Sequence, residues 1–534
     1  MKYRNYLLTL IVVAGIAATG LFNRQAPQNA APDGGQLVIG TSSDFEPFNP
    51  VITCWSVSSW INDIIYDGLV RLDRDNRPQP CLASSWSVSS DGRTWTFLLR
   101  PGVLFHDGRE LTSADVVFTY RSILDPKNAS VWAADLGEVY SIAGKGPYKV
   151  VFKLKSSFAP FIYAMRYGVL PAHLCAGRKF DDPIFTTCPV GTGRYRLEAF
   201  TPGKSAVLAA NDRYFRGRPH IDKIIFKRYQ DLTTLWSGLE AGDIDWMDYG
   251  LTAEDFNRVK RNPHLRTYSY NRPYYYSLVF NMRRPLFQDL RLRQAISMCI
   301  DRKVIVDKAL LGQGAVCRGP YSPVSWANDP HVGEPVCNPG QAVRILRSLG
   351  WSDADGNGIL DKNGRELAIT LLYDKGNDIK DKSALLIQQQ LAEVGIKLNI
   401  VCLEVSVLIN NYMMPRNFDI LFIEAITVPD PSVIYRTFHS SKTNDGLNFS
   451  SYNNLQADKL IMAGRRAKSE EDCCKAYRAL HRLLADDLPV AFLFHLNELV
   501  GINRYFKGVS PCDQGMLWNI EEWYIPKQYQ TKQQ

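Results

Sequence analysis

The sequence predicts an α/β protein built as two lobes. Two observations carry that expectation. The chain is 534 residues long, more than one hydrophobic core organises. Two strand–helix–strand units also occur more than a hundred residues apart. The first reads as a strand at 223–228, a helix at 232–239 capped by Asp231 and ended by Gly242, and a strand at 244–247. The second reads as a strand at 367–373, a helix at 382–394 ended by Gly395, and a strand at 396–403. Each is a pair of parallel strands around a crossover helix. Their separation argues for two lobes rather than one sheet. Apolar content of 46% and charged content of 22% are those of an ordinary globular protein. The net charge of +8 is not gathered in one basic block, which argues against a nucleic-acid partner.

The N-terminus reads as a secretion signal. Lys2 and Arg4 precede an apolar run from Leu7 to Phe22, and polar, proline-containing sequence follows. No cysteine follows the run, so it is not a lipoprotein signal. Either a cleaved signal or an uncleaved anchor places Gly35 onward outside the cytoplasm. Eleven cysteines suit that oxidising compartment. Cys175 with Cys188 and Cys317 with Cys337 are the expected local disulfides, each flanking a short loop, although spacing does not prove connectivity. No C-x-x-C pair occurs, which argues against structural zinc.

The elements follow in order. Residues 36–40 read as a strand, and 58–69 as an amphipathic helix with Trp60, Ile61, Ile64, Ile65 and Leu69 on one side. A hairpin turns at Asp91-Gly92, and its second strand alternates Trp95, Phe97 and Leu99 with Thr94, Thr96 and Leu98. Thr112 opens a helix, with Asp115 completing a capping box and Pro126 just past the stop. Residues 149–154 alternate as a strand. Gly191 and Gly193 are expected to supply positive φ in a tight turn. Residues 274–281 read as a strand. Asp289 and Asp301 cap two helices, and Asn338-Pro339 opens a third. Residues 353–361 carry half of a calcium loop, but Gly364 stands where a bidentate Glu is needed, so a plain turn is preferred.

Several long words of sequence resemble one family. They are LRPGVLFHDGRELTSADVVFTY, PVGTGRY, NDRYFRGRPHIDKIIF, FNMRRPLFQDLRLRQAISMCIDRKVIV, FDILFIEAITVPDPSVIYRTFHSS and LPVAFLFHLNELVGI. In this order they resemble the extracytoplasmic solute-binding proteins that serve oligopeptide, dipeptide and nickel ABC importers. The resemblance spans residues 36–524. It implies the bilobal periplasmic-binding-protein fold, of type II in its large three-domain form, with a hinge between lobes. On that pattern residues 1–34 are signal or anchor plus linker. Lobe I comprises 35–66, 194–295 and 498–534, the extra domain 67–193, and lobe II 296–497.

The resemblance also implies a function. A monomeric binder would capture peptides in the cleft, close on them, and deliver them to membrane permease subunits. A nickel chelate, haem or a sugar is the alternative solute, and a membrane-tethered sensor the alternative role. No cofactor is implied. No G-x-S-x-G, Walker A or H-E-x-x-H pattern occurs and the eight histidines are scattered, so no enzyme is expected.

The implied ligand-facing positions are Cys54, Trp55 and Ser56 in a loop, Trp132 as a pocket aromatic, and Tyr275. Trp55 reads equally as a core aromatic. Peptide-binding relatives carry an Asp that pairs with the peptide α-ammonium where this chain has Thr427. Glu424 would substitute if it turned inward. Asp430 reads as a cap or turn residue.

Overall fold

A computed structural model describes residues 31–53, 57–248, 250–444 and 446–530. The signal segment and the loop residues Cys54, Trp55 and Ser56 lie outside them.

Both crossover units belong to one hydrogen-bonded sheet, which corrects the expectation of two. Its eleven strands run Lys397–Leu403, Ala368–Asp374, Ile420–Ile426, Leu265–Phe280, Val490–Asn503, Trp246–Met247, Gln36–Thr41, Lys223–Arg228, Ser205–Ala210 and Tyr195–Thr201. Gly314–Val316 pairs with Val490–Asn503 off this path. The reason is the length of the two central strands, 16 and 14 residues. At ~3.4 Å per residue the longer one spans about 50 Å, enough to pass through both lobes. They are antiparallel to each other, and one crossover unit lies on either side of them. Only the inner half of the longer strand was legible. Its outer half, Leu-Arg-Thr-Tyr-Ser-Tyr-Asn-Arg-Pro, is largely polar and half-exposed, so no apolar alternation announces it.

The lobes are nonetheless separate in their packing. One core gathers Leu37, Phe97, Phe152, Tyr195 and Phe226. Another, on the far side of the hinge, gathers Phe280, Ile296, Leu371, Ile387 and Phe422. In the second crossover unit, Ala368–Asp374 and Lys397–Leu403 pair directly and in parallel. In the first, Gln36–Thr41 inserts between Lys223–Arg228 and Trp246–Met247 and is parallel to both. The helix of the second unit is Asp378–Ala392, starting four residues before the expected 382 because Asn377 caps it. The helices after Asp231 and Asn338 begin where their caps predict. Asp231 accepts from the Thr234 amide at 2.8 Å, and Asn338 from the Gln341 amide at 2.9 Å.

A smaller four-stranded sheet carries the hairpin Ala83–Val88 and Thr94–Leu99, then Lys149–Leu154 and Val139–Gly144. Helix Ser113–Leu124 packs on it, with Asp115 accepting from the Thr112 amide at 2.9 Å.

Gly191 and Gly193 are glycines for a different reason from the one expected. Neither has positive φ. Each instead lies against the end of helix Val57–Ile65. A Cβ on Gly191 would stand 2.0 Å from the Ile65 carbonyl oxygen, and one on Gly193 2.2 Å from that of Ile64. The Gly193 amide donates to the Ile65 carbonyl at 2.8 Å. That bond stops the helix at Ile65, short of the predicted Leu69. His106 clamps the same turn. Its Nε2–H donates to the Gly193 carbonyl at 3.0 Å, and its Nδ1 accepts from the Gly191 amide at 3.3 Å.

All ten described cysteines are free thiols, so the two expected disulfides are not formed. Cys317 is buried and donates to the Gly319 carbonyl at 3.0 Å, whereas Cys337 is exposed. The 353–361 loop is a turn closed on itself. Asp353 accepts from the Gly356 and Gly358 amides, and Asp361 from the Ala354 amide. Among the described residues no group of three or more His, Cys, Asp or Glu side chains could hold a metal ion.

Burial pushes the His106 imidazole down to about 4. The unfolded chain therefore binds a proton at this site that the folded chain refuses. Stability from His106 is complete above about pH 6.5 and falls as pH drops toward 4, by up to about 3 kcal/mol. Denaturant melts between pH 7 and 4 should show this slope, and His106→Gln should flatten it. Gly193→Ala should cost more than about 2 kcal/mol at any pH, because the new methyl meets backbone.

Candidate ligand-binding cleft

The candidate ligand-facing residues fall in two parts of the chain, segment 130–167 and the strand Ile420–Ile426 with the turn that follows it. On the extra-domain side Trp132 is half-buried. Its Nε1–H donates to the Pro50 carbonyl at 3.0 Å, and its ring stacks on Tyr167 with centroids 4.7 Å apart. Ser130 Oγ donates to the Val51 carbonyl at 2.6 Å. These two bonds hold the 50–53 segment that leads into Cys54, Trp55 and Ser56. The Tyr167 hydroxyl donates to Asp135.

On the lobe II side, strand Ile420–Ile426 presents alternate residues to opposite faces. Tyr275 pairs with Ala425, and Tyr276 with Glu424. Tyr276 and Glu424 share the face that carries Phe422 and Phe494, and the Tyr276 hydroxyl donates to Glu424 at 2.5 Å. Thr427 belongs to the opposite face, the one covered by Tyr321, Trp326 and Tyr477. Glu424 therefore cannot turn inward to replace a charge at Thr427, because the strand's alternation points it away. Tyr275 is on the cleft side of the sheet but 5% exposed, with its ring edge-on to Phe492 at 5.4 Å. Its position is that of a core aromatic beneath the cleft floor.

Asp430 caps the short helix Pro431–Val433. Its carboxylate accepts from the Ser432 amide at 2.8 Å and the Ser432 hydroxyl at 2.6 Å. Among the described residues no Lys, Arg or His forms an ion pair with it. Burial pushes its carboxyl up to about 6; Ser432 and Arg465 pull it down, and Asp135 across the cleft pushes the same way as burial. Three buried hydroxyls of this region have no hydrogen-bond partner: Thr427 Oγ1, Tyr321 OH and Tyr477 OH. Asp430 contributes to raising the Tyr321 and Tyr477 phenols, after burial itself, so both lie within reach of its charge. Buried polar atoms without partners are uncommon and costly. Two of them, on Tyr321 and Tyr477, also feel the Asp430 charge.

Tyr321, Tyr477 and Arg465 carried no signal in the sequence. Tyr477 stands at helical spacing with Leu480 and Leu484 and reads as core, which it also is.

A family profile, Bacterial extracellular solute-binding proteins, family 5 Middle, matches residues 77–446. The chain belongs to this family. The oligopeptide-binding protein AppA of Bacillus subtilis is 30% identical over 549 aligned residues, covering 99% of this chain and 100% of AppA. The structure of that AppA with a nonapeptide superposes with a TM-score of 0.71, covering 93% of this chain and 100% of AppA. NikZ of Campylobacter jejuni, solved with Ni(L-His), is 25% identical with a TM-score of 0.73, over 92% of this chain and 99% of NikZ. The family is extracellular or periplasmic, and no described helix is long and apolar enough to cross a membrane.

Asp430→Asn should keep the cap while removing a charge that burial disfavours. The wild-type carboxyl titrates above the ordinary value of 3.8, so its cost is absent below about pH 4 and complete above about pH 6. Half-burial and solvent screening limit the cost. The variant should be roughly 1–2 kcal/mol more stable than wild type at pH 8 and indistinguishable at pH 4, by denaturant melts of ligand-free protein.

Proposed function

We propose that this protein is the peptide-capturing component of an ABC importer. It acts as a monomer, without catalysis, and hands short peptides to membrane permease subunits. The observation that carries this reading is the end-to-end likeness to AppA, together with a hinged cleft that holds unsatisfied polar groups. Peptides would lie extended between the lobes, held mainly through their backbone, so that side chains are tolerated broadly.

The peptide's α-ammonium would sit at Asp430. Thr427 has no charge to offer, and Glu424 faces the other side of the sheet. Asp430 is a carboxylate whose charge reaches the unpartnered Tyr321 and Tyr477 hydroxyls. Trp132, Tyr167 and the 54–56 loop would line the remainder of the cleft. An uncleaved 7–22 segment would tether the protein to the membrane without altering this chemistry.

The test is native mass spectrometry of the protein purified from a periplasmic extract without refolding, followed by release and fragmentation of what is bound. A ladder of short peptides is expected. A single metal chelate, haem or sugar mass would overturn the reading. Asp430→Asn should weaken a free-amine tripeptide at least about tenfold while leaving its N-acetylated form nearly unchanged. Equal losses for both peptides would remove Asp430 from the ammonium site.

A further inference from the structure

The structure described above holds the extra domain against lobe II with contacts that involve no ligand. Trp326 is at their centre. Its ring packs against the core of lobe I and the extra domain and also against the core of lobe II. Its Nε1–H donates across the cleft to the Tyr163 hydroxyl at 2.9 Å. On its own side Trp326 is anchored to helix Glu470–Asp487: its carbonyl accepts from Arg478 Nε at 3.1 Å and from the Cys474 thiol at 3.5 Å.

A second strap lies alongside. The Ala159 amide donates to the Arg465 carbonyl at 2.8 Å, and Ser157 Oγ to the Arg466 carbonyl at 3.3 Å. The Arg465 guanidinium lies 4.8 Å from the Phe158 ring and 4.5 Å from the Tyr435 ring, one from each side of the cleft. At the rim, Arg77 pairs with Glu470 at 2.6 Å. These contacts are more than a loose approach of two charged surfaces. They include a backbone hydrogen bond, a cation between two rings, and an indole shared by two cores.

A ligand shifts an open–closed equilibrium only by what it adds to the closed state. Contacts that the protein makes with itself across the cleft act on the same equilibrium before any ligand arrives. They raise the fraction of molecules already able to grip, and apparent affinity scales with that fraction.

We infer that the Tyr163–Trp326 hydrogen bond and the Arg465 strap form a latch that holds the ligand-free protein closed. Tyr163 and Trp326 thereby set affinity by positioning the lobes rather than by touching the ligand. The latch does not depend on which solute is carried.

Small-angle X-ray scattering of the mature protein, stripped in guanidinium, refolded and verified empty by native mass spectrometry, tests it. The ligand-free profile should match that calculated from the closed coordinates. Tyr163→Phe removes one hydroxyl and should expand the ligand-free protein. Trp326→Phe should do the same, and the double variant should expand it little further, because both break one bond. A captured tripeptide should leave Tyr163→Phe about 3–10-fold faster than wild type, with a smaller change in association. A wild-type protein already open when empty overturns the latch. So does a wild-type profile that neither substitution changes. Scattering is read without ligand, so failure of tripeptide binding would count against peptide capture and leave the latch standing.

Discussion

The pairing of Leu265–Phe280 with Val490–Asn503 is the constraint on which the rest depends. These two strands are the only covalent and hydrogen-bonded continuity through the middle of the described sheet. Their register is broken at two places, between Tyr276 and Ser277, where Leu493 is skipped, and more widely between Asn271 and Tyr275. Asn271 pairs with Asn497 and Tyr275 with His495, so Arg272, Pro273 and Tyr274 stand opposite the single Leu496. Proline has no amide to give to the ladder, which makes this a natural site for the break. The bulge is stitched from the side. The His495 Nδ1–H donates to the Tyr274 carbonyl at 3.1 Å, and the Thr427 amide to the Pro273 carbonyl at 2.8 Å. A ribbon interrupted in this way bends without losing its pairing on either side, which is what a hinge between rigid lobes requires.

The same break fixes the chemistry of the cleft. Thr427 is bonded to the bulge itself, and Asp430 follows three residues later. Thr427 and Asp430 are therefore tied directly to the break in the ribbon. Asp135, Tyr167 and Trp132 belong to the segment on the other side. By like-charge repulsion Asp135 acts on Asp430 in the same sense as burial, with Arg465 opposing both. A cationic ligand group between them would relieve that repulsion, which couples ligand charge to closure. The latch and the ligand would act on one equilibrium by different means, one by the protein's own hydrogen bonds and Arg465 strap and the other by ligand charge.

Family membership and local geometry make separate contributions. Likeness to AppA and to NikZ establishes the architecture, and these two relatives were solved with different kinds of solute. On the reading proposed above, discrimination between solutes would lie in side chains such as Thr427 and Asp430.

The sequence by itself determined what short-range physics decides. Helix starts at Asp231, Asp301 and Asn338, the hairpin at Gly92, the two crossover units and the family all follow from residues near one another in the chain. What depends on register across long separations was not legible. The union of the lobes into one sheet needed the polar half of Leu265–Phe280, which has no apolar period. The orientation of Glu424 was a matter of strand parity: one residue's shift exchanges the faces of a sheet. The need for glycine at 191 and 193 comes from the carbonyls of Ile64 and Ile65, more than a hundred residues earlier. The contacts of Trp326 with Tyr163 and of Arg465 with Phe158 and Ala159 exist only because distant parts of the chain meet. Tertiary structure alone decided them, since no local propensity encodes which surfaces a hinge brings together.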